Sequence, residues 1–181
     1  MPAAPLPANE INRLRALRAS GLLENGPDPD LDATVRQAKL WGTPIAAVTL
    51  LDGTHAHFKA SMGLDVPYTT RDEAFCGYAI LQSDPLVVLD AHTDPRFADN
   101  PLVLAQPGIR FYAGVPIYGP DDQPFGALCV IDMTERQQID EMAIQTLRRL
   151  ADKVTSIMSK RRPADRAVEQ KATQTAMTSS E

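Results

Sequence analysis

Three groups of residues in this 181-residue sequence have the types and spacing for chemistry. The first lies in LDAHTDPRFADNPLV, Leu89–Val103, where an apolar run breaks into Asp, Asn, Pro and Arg. Connections in compact domains are usually short, and long structured ones are functional or disordered. Asp94-Pro95 and Asn100-Pro101 each set a capping side chain before proline at a first helical position. That spacing predicts a lid of two short helical turns whose free N–H groups favour an anionic or hydrogen-bonding ligand. Asp90, Arg96 and Arg110 are the charged partners nearby. The alternative is that Asp90, Asp94 and Arg96 tie the loop to itself, and both can hold because a lid must be pinned to work.

The second group is thiol. Cys76 and Cys129 stand 53 positions apart, each in an apolar context, with no CxxC pair and no disulfide framework. Cys76 lies six residues beyond a capping threonine, too deep for a helix N-terminus to activate it, and Cys129 reads as strand core. A redox pair would need the Cα atoms within about 7 Å of each other. The third group is His55 and His57, on one strand face beside Lys59, which with His92 have the donor types for a metal. An exposed hairpin face is the simpler account, and no metal site is assigned. Phe58, Phe75, Phe97, Phe111 and Tyr112 are plain core or, if a pocket exists beneath the lid, its apolar wall.

These residues need elements to position them. Asn9 is expected to cap a helix that buries Ile11, Leu14 and Leu17 and stops at Gly21. A second helix carries Leu31, Val35, Ala38 and Trp41 at helical spacing. Ile45–Leu51 is a strand, and Asp52-Gly53 turns it into a returning strand with Ala56, Phe58 and Ala60 on one face. Thr70-Arg-Asp-Glu73 has the form of a capping box for a helix running to about Gln82. A strand over Leu86–Asp90, the lid, and a hairpin of Phe111–Ile117 with Phe125–Ile131 follow. A last helix, about Ile139–Arg161, carries a narrow stripe of Ala143, Leu147, Leu150, Ala151, Val154 and Ile157, whose near-heptad spacing suits a partner helix. Two hairpins with few βα alternations predict an α+β fold, a central antiparallel sheet with helices on its faces. Residues 1–8 are read as a flexible N-terminus, 9–161 as one domain and 162–181 as a disordered tail.

Composition limits the partners. The net charge of −5 and pI near 5.2 give no field for nucleic acid or an anionic membrane. The one basic cluster, Lys160-Arg-Arg162, can complement a helix C-terminus. No signal-peptide pattern or long apolar run is visible, so a cytoplasmic location is expected.

Six segments together carry a resemblance: LRALRASGLLE, GTPIAAVTLLDGTHAHFKASMGL, DEAFCGYAI, VVLDAHTDPRFADNPLV, GIRFYAGVPI and FGALCVID. In this order, from about Leu14 to Leu150, the chain resembles the GAF domain, a small-molecule sensor module of bacterial histidine kinases, cyclic-dinucleotide enzymes and phytochromes. The resemblance implies a ligand cavity on one sheet face, a helical layer on the other with N- and C-terminal helices packed together, and a homodimer through those helices. The Asn-Lys-x-x-Phe-Asp-Glu motif of cyclic-nucleotide-binding members is absent. So are the Asp-Ile-Pro motif and Cys-His pair of bilin-binding members, since Gly77 follows Cys76 and Val130 follows Cys129. Free methionine sulfoxide reductases of this fold use closely spaced cysteines, unlike the two here. What remains is a regulatory module in signal transduction that binds a small molecule without turnover, its ligand and any cofactor not encoded by the motifs. It would pass its state to a separate effector protein or be a fragment of a longer chain. The rivals are a thiol-based reductase of the same fold and a dimerisation scaffold without ligand. The expected ligand-contacting set is Phe58, Phe75, Cys76, Asp90, Asp94, Arg96, Phe97, Asn100, Arg110 and Tyr112.

Overall fold

Ile45–Leu51 (β1) is apolar at six of seven positions and buried at every one, so it must lie inside a sheet with both faces covered. The computed structural model, which describes residues 3–39 and 42–161, places it there. Trp41 and the tail from 162 onward lie outside the described residues. The other strands are β2 (His55–Met62), β3 (Tyr68–Thr70), β4 (Leu86–Val88), β5 (Phe111–Tyr118) and β6 (Pro124–Asp132). They form one antiparallel sheet in the order β3-β2-β1-β6-β5-β4. The helices are α1 (Glu10–Ser20), α2 (Pro29–Lys39), α3 (Cys76–Ala79), α4 (Pro101–Leu104) and α5 (Glu141–Lys160). This is the expected α+β class.

Strand alternation sends side chains to two cores. Ala46, Val48 and Leu50 join Leu128, Val130 and residues of α1, α2 and α5 on one face. Ile45, Ala47 and Leu51 join Ala127, Cys129, Ile131 and α3 on the other. The α5 positions buried on the first face are Ile144, Leu147, Ala151, Val154 and Met158. That spacing of three and four is the narrow stripe read from the sequence, turned slightly, with Leu150 and Ile157 at its margin. It packs on the chain's own sheet and α2 rather than waiting for a partner helix. Arg161 closes the layer, its Nη2 lying 2.8 Å from the Asp28 carboxylate that caps α2.

Four local expectations are corrected. In β2 a bulge sets Thr49 opposite Phe58 and Val48 opposite Ala60, so Lys59 is the extra residue. The period of two breaks there, and Ala56 and Phe58 face one core while Ala60 faces the other. In α1, Ile11 is 75% exposed, and Arg13 is fully buried beside Leu17. Asn9 makes no side-chain cap bond, although Gly21 ends the helix in the left-handed conformation as expected. The Thr70 box does not form, because Thr70 makes no cap bond and the segment divides into a 3-10 turn (Arg71–Glu73) and the short α3. Cys76 therefore opens its helix instead of lying deep within one.

The buried Arg13 explains how α1 docks. Its guanidinium donates to Glu10 at 2.7 and 2.8 Å and to the Leu51 carbonyl at 2.8 Å. Arg71 donates to the same Glu10 carboxylate at 2.5 Å and to the Asp52 carbonyl at 2.7 Å. Burial alone would raise the Glu10 carboxyl, but hydrogen bonds from Arg13 and Arg71 outweigh it and hold the pKa at about 2. At the N-terminus, the space over Gly77 is taken by the Ala4 methyl, so the arm before α1 touches α3.

Candidate functional site

The second face of the sheet is not filled. Between it, α3 and the lid lies a cavity of about 420 Å³, bounded almost wholly by apolar atoms. Its floor is sheet: Ile45 and Thr49 from β1, Tyr112 from β5, Cys129 and Ile131 from β6. Phe75 and Cys76 at the start of α3 form one wall, and Phe58 with Leu64 and Val66 another. Leu102, Ala105, Pro107 and Ile109 of the lid form the roof.

Glycine at 114 shapes the floor. A Cβ there would stand 2.2 Å from the Tyr112 hydroxyl oxygen and under 3 Å from its ring. Without it, the Tyr112 ring and hydroxyl occupy the space over Gly114, and the hydroxyl reaches the Cys76 Sγ at 3.2 Å. Gly114 is the strand partner of Cys129, so the hydroxyl brings Cys76 and Cys129 to the same part of the cavity wall. The neighbouring Cys129 thiol holds the Cys76 thiol below its ordinary pKa against the opposing cost of burial. The same pairing, with burial, pushes Cys129 well up, and burial does the same to Tyr112. Thr49 lines the same cavity, and its buried hydroxyl has no hydrogen-bond partner among the described residues. Such groups are rare in folded proteins.

Of the ten residues expected at the site, the structure brings Phe58, Phe75, Cys76 and Tyr112 to the cavity wall. Phe97 lies one layer behind, its ring stacked on Phe75 at 4.1 Å. Asp90, Asp94, Arg96, Asn100 and Arg110 hold the lid and do not line the cavity. Asp94 takes the Arg96 guanidinium at 2.9 and 2.6 Å and also accepts the Arg96 N–H. Arg110 donates to Asp90 at 2.9 Å and pairs with Glu135 at 3.3 Å. These arginine hydrogen bonds hold the Asp94 and Asp90 carboxyls below their ordinary range. Asn100 is fully buried: it caps α4 by accepting the Leu102 N–H at 2.8 Å and donates to the Glu73 carbonyl at 2.9 Å. The lid is thus pinned by the residues its sequence singles out, while its apolar residues face the cavity.

Sequence reasoning missed Thr49 and placed Cys129 in plain core. Thr49 had a visible signal, as the one polar residue in an apolar central strand. The histidines also differ from expectation. His92 bonds the Val103 carbonyl inside the lid, and Asp52 takes its place beside His55 and His57. The donor atoms of this trio lie within 4.8 Å of one another, a set with the chemistry for a borderline divalent cation. Here it closes the β1–β2 hairpin: Asp52 accepts the N–H groups of Thr54 and His55 and meets His57 Nε2 at 2.6 Å. Burial would raise the Asp52 carboxyl, but the His57 and backbone bonds bring its pKa to about 2.

The GAF domain family model matches residues 28–157, which hold the whole sheet and cavity. The chain belongs to the GAF domain family. Over 152 residues it is 40% identical to a cyclic di-GMP phosphodiesterase of Pseudomonas aeruginosa, covering 83% of this chain. This GAF chain spans only 26% of that relative's length. Among solved structures, the GAF domain of an Acinetobacter phosphoenolpyruvate-protein phosphotransferase superposes with a TM-score of 0.59 at 20% identity, covering 84% of this chain and 94% of that one. A free methionine-R-sulfoxide reductase of Neisseria meningitidis, in complex with its substrate, gives 0.57 at 20% identity, covering 93% and 99%. At such identities the structural likeness speaks for the fold alone. No helix among the described residues is long and apolar enough to cross a membrane.

Proposed function

We propose that this GAF domain is the sensory part of a signalling protein and binds a small molecule in the cavity without turning it over. The observation that carries this reading is the unpartnered Thr49 hydroxyl on the floor of an apolar cavity of about 420 Å³. A ligand that is mostly apolar and bears one hydroxyl or carbonyl group satisfies both features. The similarity to a cyclic di-GMP phosphodiesterase supports a regulatory role beside an effector domain or a separate effector protein. A second copy of the chain is the proposed assembly partner, docking on α1 and α5 where Ile11 and Met142 stand exposed.

Native mass spectrometry of the protein purified from its own host tests the ligand reading, with Thr49→Val purified in parallel. Retained ligand in the wild type and loss of it in Thr49→Val are expected. A wild type that retains nothing, and gains no thermal stability from a panel of apolar alcohols and phenols, sinks the reading. Ile11→Asp is expected to give monomers in analytical ultracentrifugation, and an unchanged sedimentation coefficient rejects the dimer.

The shared place of Cys76 and Cys129 on the cavity wall favours one rival, a thiol-based reductase. Incubation with methionine sulfoxide and a dithiol decides it, since Cys76-dependent turnover would replace the sensor reading with an enzyme.

A further inference from the structure

The two thiols on the cavity floor ask for a role of their own. They come from distant parts of the sequence, Cys76 from the first turn of α3 and Cys129 from the middle of β6. Cys76 Sγ lies 3.2 Å from the Tyr112 hydroxyl, which sits over Gly114, the strand partner of Cys129, and both thiols line the cavity, which gives a small solute a path to them although both side chains are buried. Neither is needed to satisfy the other as a structural donor, because buried thiols pack well as small hydrophobes.

We propose that Cys76 and Cys129 are a reversible dithiol–disulfide switch in the cavity floor, oxidised by a small peroxide that enters through the cavity. The Cys76 thiolate attacks one peroxide oxygen and breaks the O–O bond. The displaced hydroxide takes up a proton and leaves as water, and Cys76 becomes a sulfenic acid. Cys129 sulfur then attacks the Cys76 sulfur and expels the hydroxyl, which leaves as a second water with the Cys129 proton. Two thiols and one peroxide give one disulfide and two waters, and an external dithiol returns the two electrons and two protons.

The order of attack follows from the cluster. The Tyr112 hydroxyl, 3.2 Å from Cys76 Sγ, can donate to a Cys76 thiolate, and its neighbours favour that charge on Cys76 rather than on Cys129. Closing the bond swings Cys76 Sγ away from the Tyr112 hydroxyl and ties the first turn of α3 to β6. Phe75 directly precedes that turn and lines the cavity, so oxidation reshapes the wall that meets a ligand. The redox input does not depend on what the ligand is.

The reduced full-length protein is treated with a slight molar excess of hydrogen peroxide, then alkylated and weighed intact. The expected result is loss of two hydrogen atoms, no alkylation at either cysteine, and a cross-linked peptide joining Cys76 to Cys129, all reversed by dithiothreitol. In Cys129→Ser, dimedone is expected to label Cys76; in Cys76→Ser it is expected to leave Cys129 unlabelled. Two thiols still alkylated after peroxide, separate adducts without the cross-linked peptide, or disulfides joining two chains would each overturn the proposal. The wild-type measurement decides even if a variant fails to fold, and it reads mass alone, so its outcome is separate from that of the ligand test.

Discussion

The same strands supply both faces of the sheet, yet over the central strands one face is packed by helices and the other holds a cavity. Toward the helices the central strands present Val48, Leu50, Leu128 and Val130, whose bulk meets Leu147, Ala151 and Val154 of α5. Toward the cavity the intervening positions are Ala47, Thr49, Ala127 and Cys129, with bare Gly114 beside them on β5. Small side chains under a short helix and a strapped loop leave volume that large ones under long helices fill. One face therefore supplies stability, and the other is free to specialise.

The sharpest way to break this comparison is to truncate one residue on each face. Leu147→Ala, on the helix-packed face, is expected to cost about 3 kcal/mol in urea unfolding, as buried leucines do. Phe58→Ala, which enlarges an existing cavity, should cost less than about half of that. Equal losses would mean that the cavity face is packed like the other.

Next in size is the carboxylate that anchors α1. Glu10→Gln leaves Arg13 and Arg71 without their counter-ion and is expected to cost about 2 kcal/mol at neutral pH, less than a fully buried pair because Glu10 keeps some exposure. The folded pKa of about 2 is depressed from 4.5, so this contribution is complete above about pH 4.5 and is lost as pH falls toward 2. Between pH 5 and 3 the wild type should lose more stability than Glu10→Gln. Parallel pH profiles would remove Glu10 from the account.

A smaller effect is expected on the cavity side. Asn100→Ala removes the α4 cap and strands the Glu73 carbonyl, at a cost of about 1–2 kcal/mol. Amide exchange should quicken across residues 101–109 and stay slow in β1 and β6. Even acceleration across the sheet would show that the lid and the core unfold as one unit. The smallest effect belongs to Asp84→Asn, which breaks an exposed ion pair with Arg148 of α5. No measurable change in stability is expected.

Much of the frame was legible in the sequence. β1, β5 and β6 are continuous apolar runs, the turns between strands carry Asp-Gly and Pro-Asp-Asp, and Asn100-Pro101 announces a cap. These signals are local, set by neighbouring residues. The β2 bulge was not legible, because an extra residue in a ladder shows only in pairing with the partner strand. Arg13 was hidden for a similar reason: an arginine one turn from Glu10 on a helix reads as solvent-facing until the distant Leu51 and Pro124 carbonyls are placed around it.

By itself the sequence determined the α+β class, the order of the elements apart from the edge strand β3, and the pinned lid, because periodicity, turn chemistry and caps act over a few residues. Only the tertiary structure decided which apolar residues enclose a cavity and which fill a core. It also decided that Cys76 and Cys129 meet. Their meeting depends on the short α3 packing against β6 and on a glycine at 114 that leaves room for the Tyr112 side chain. Positions 53 residues apart carry no local signal of each other, and only the packing of helix on sheet brings them together.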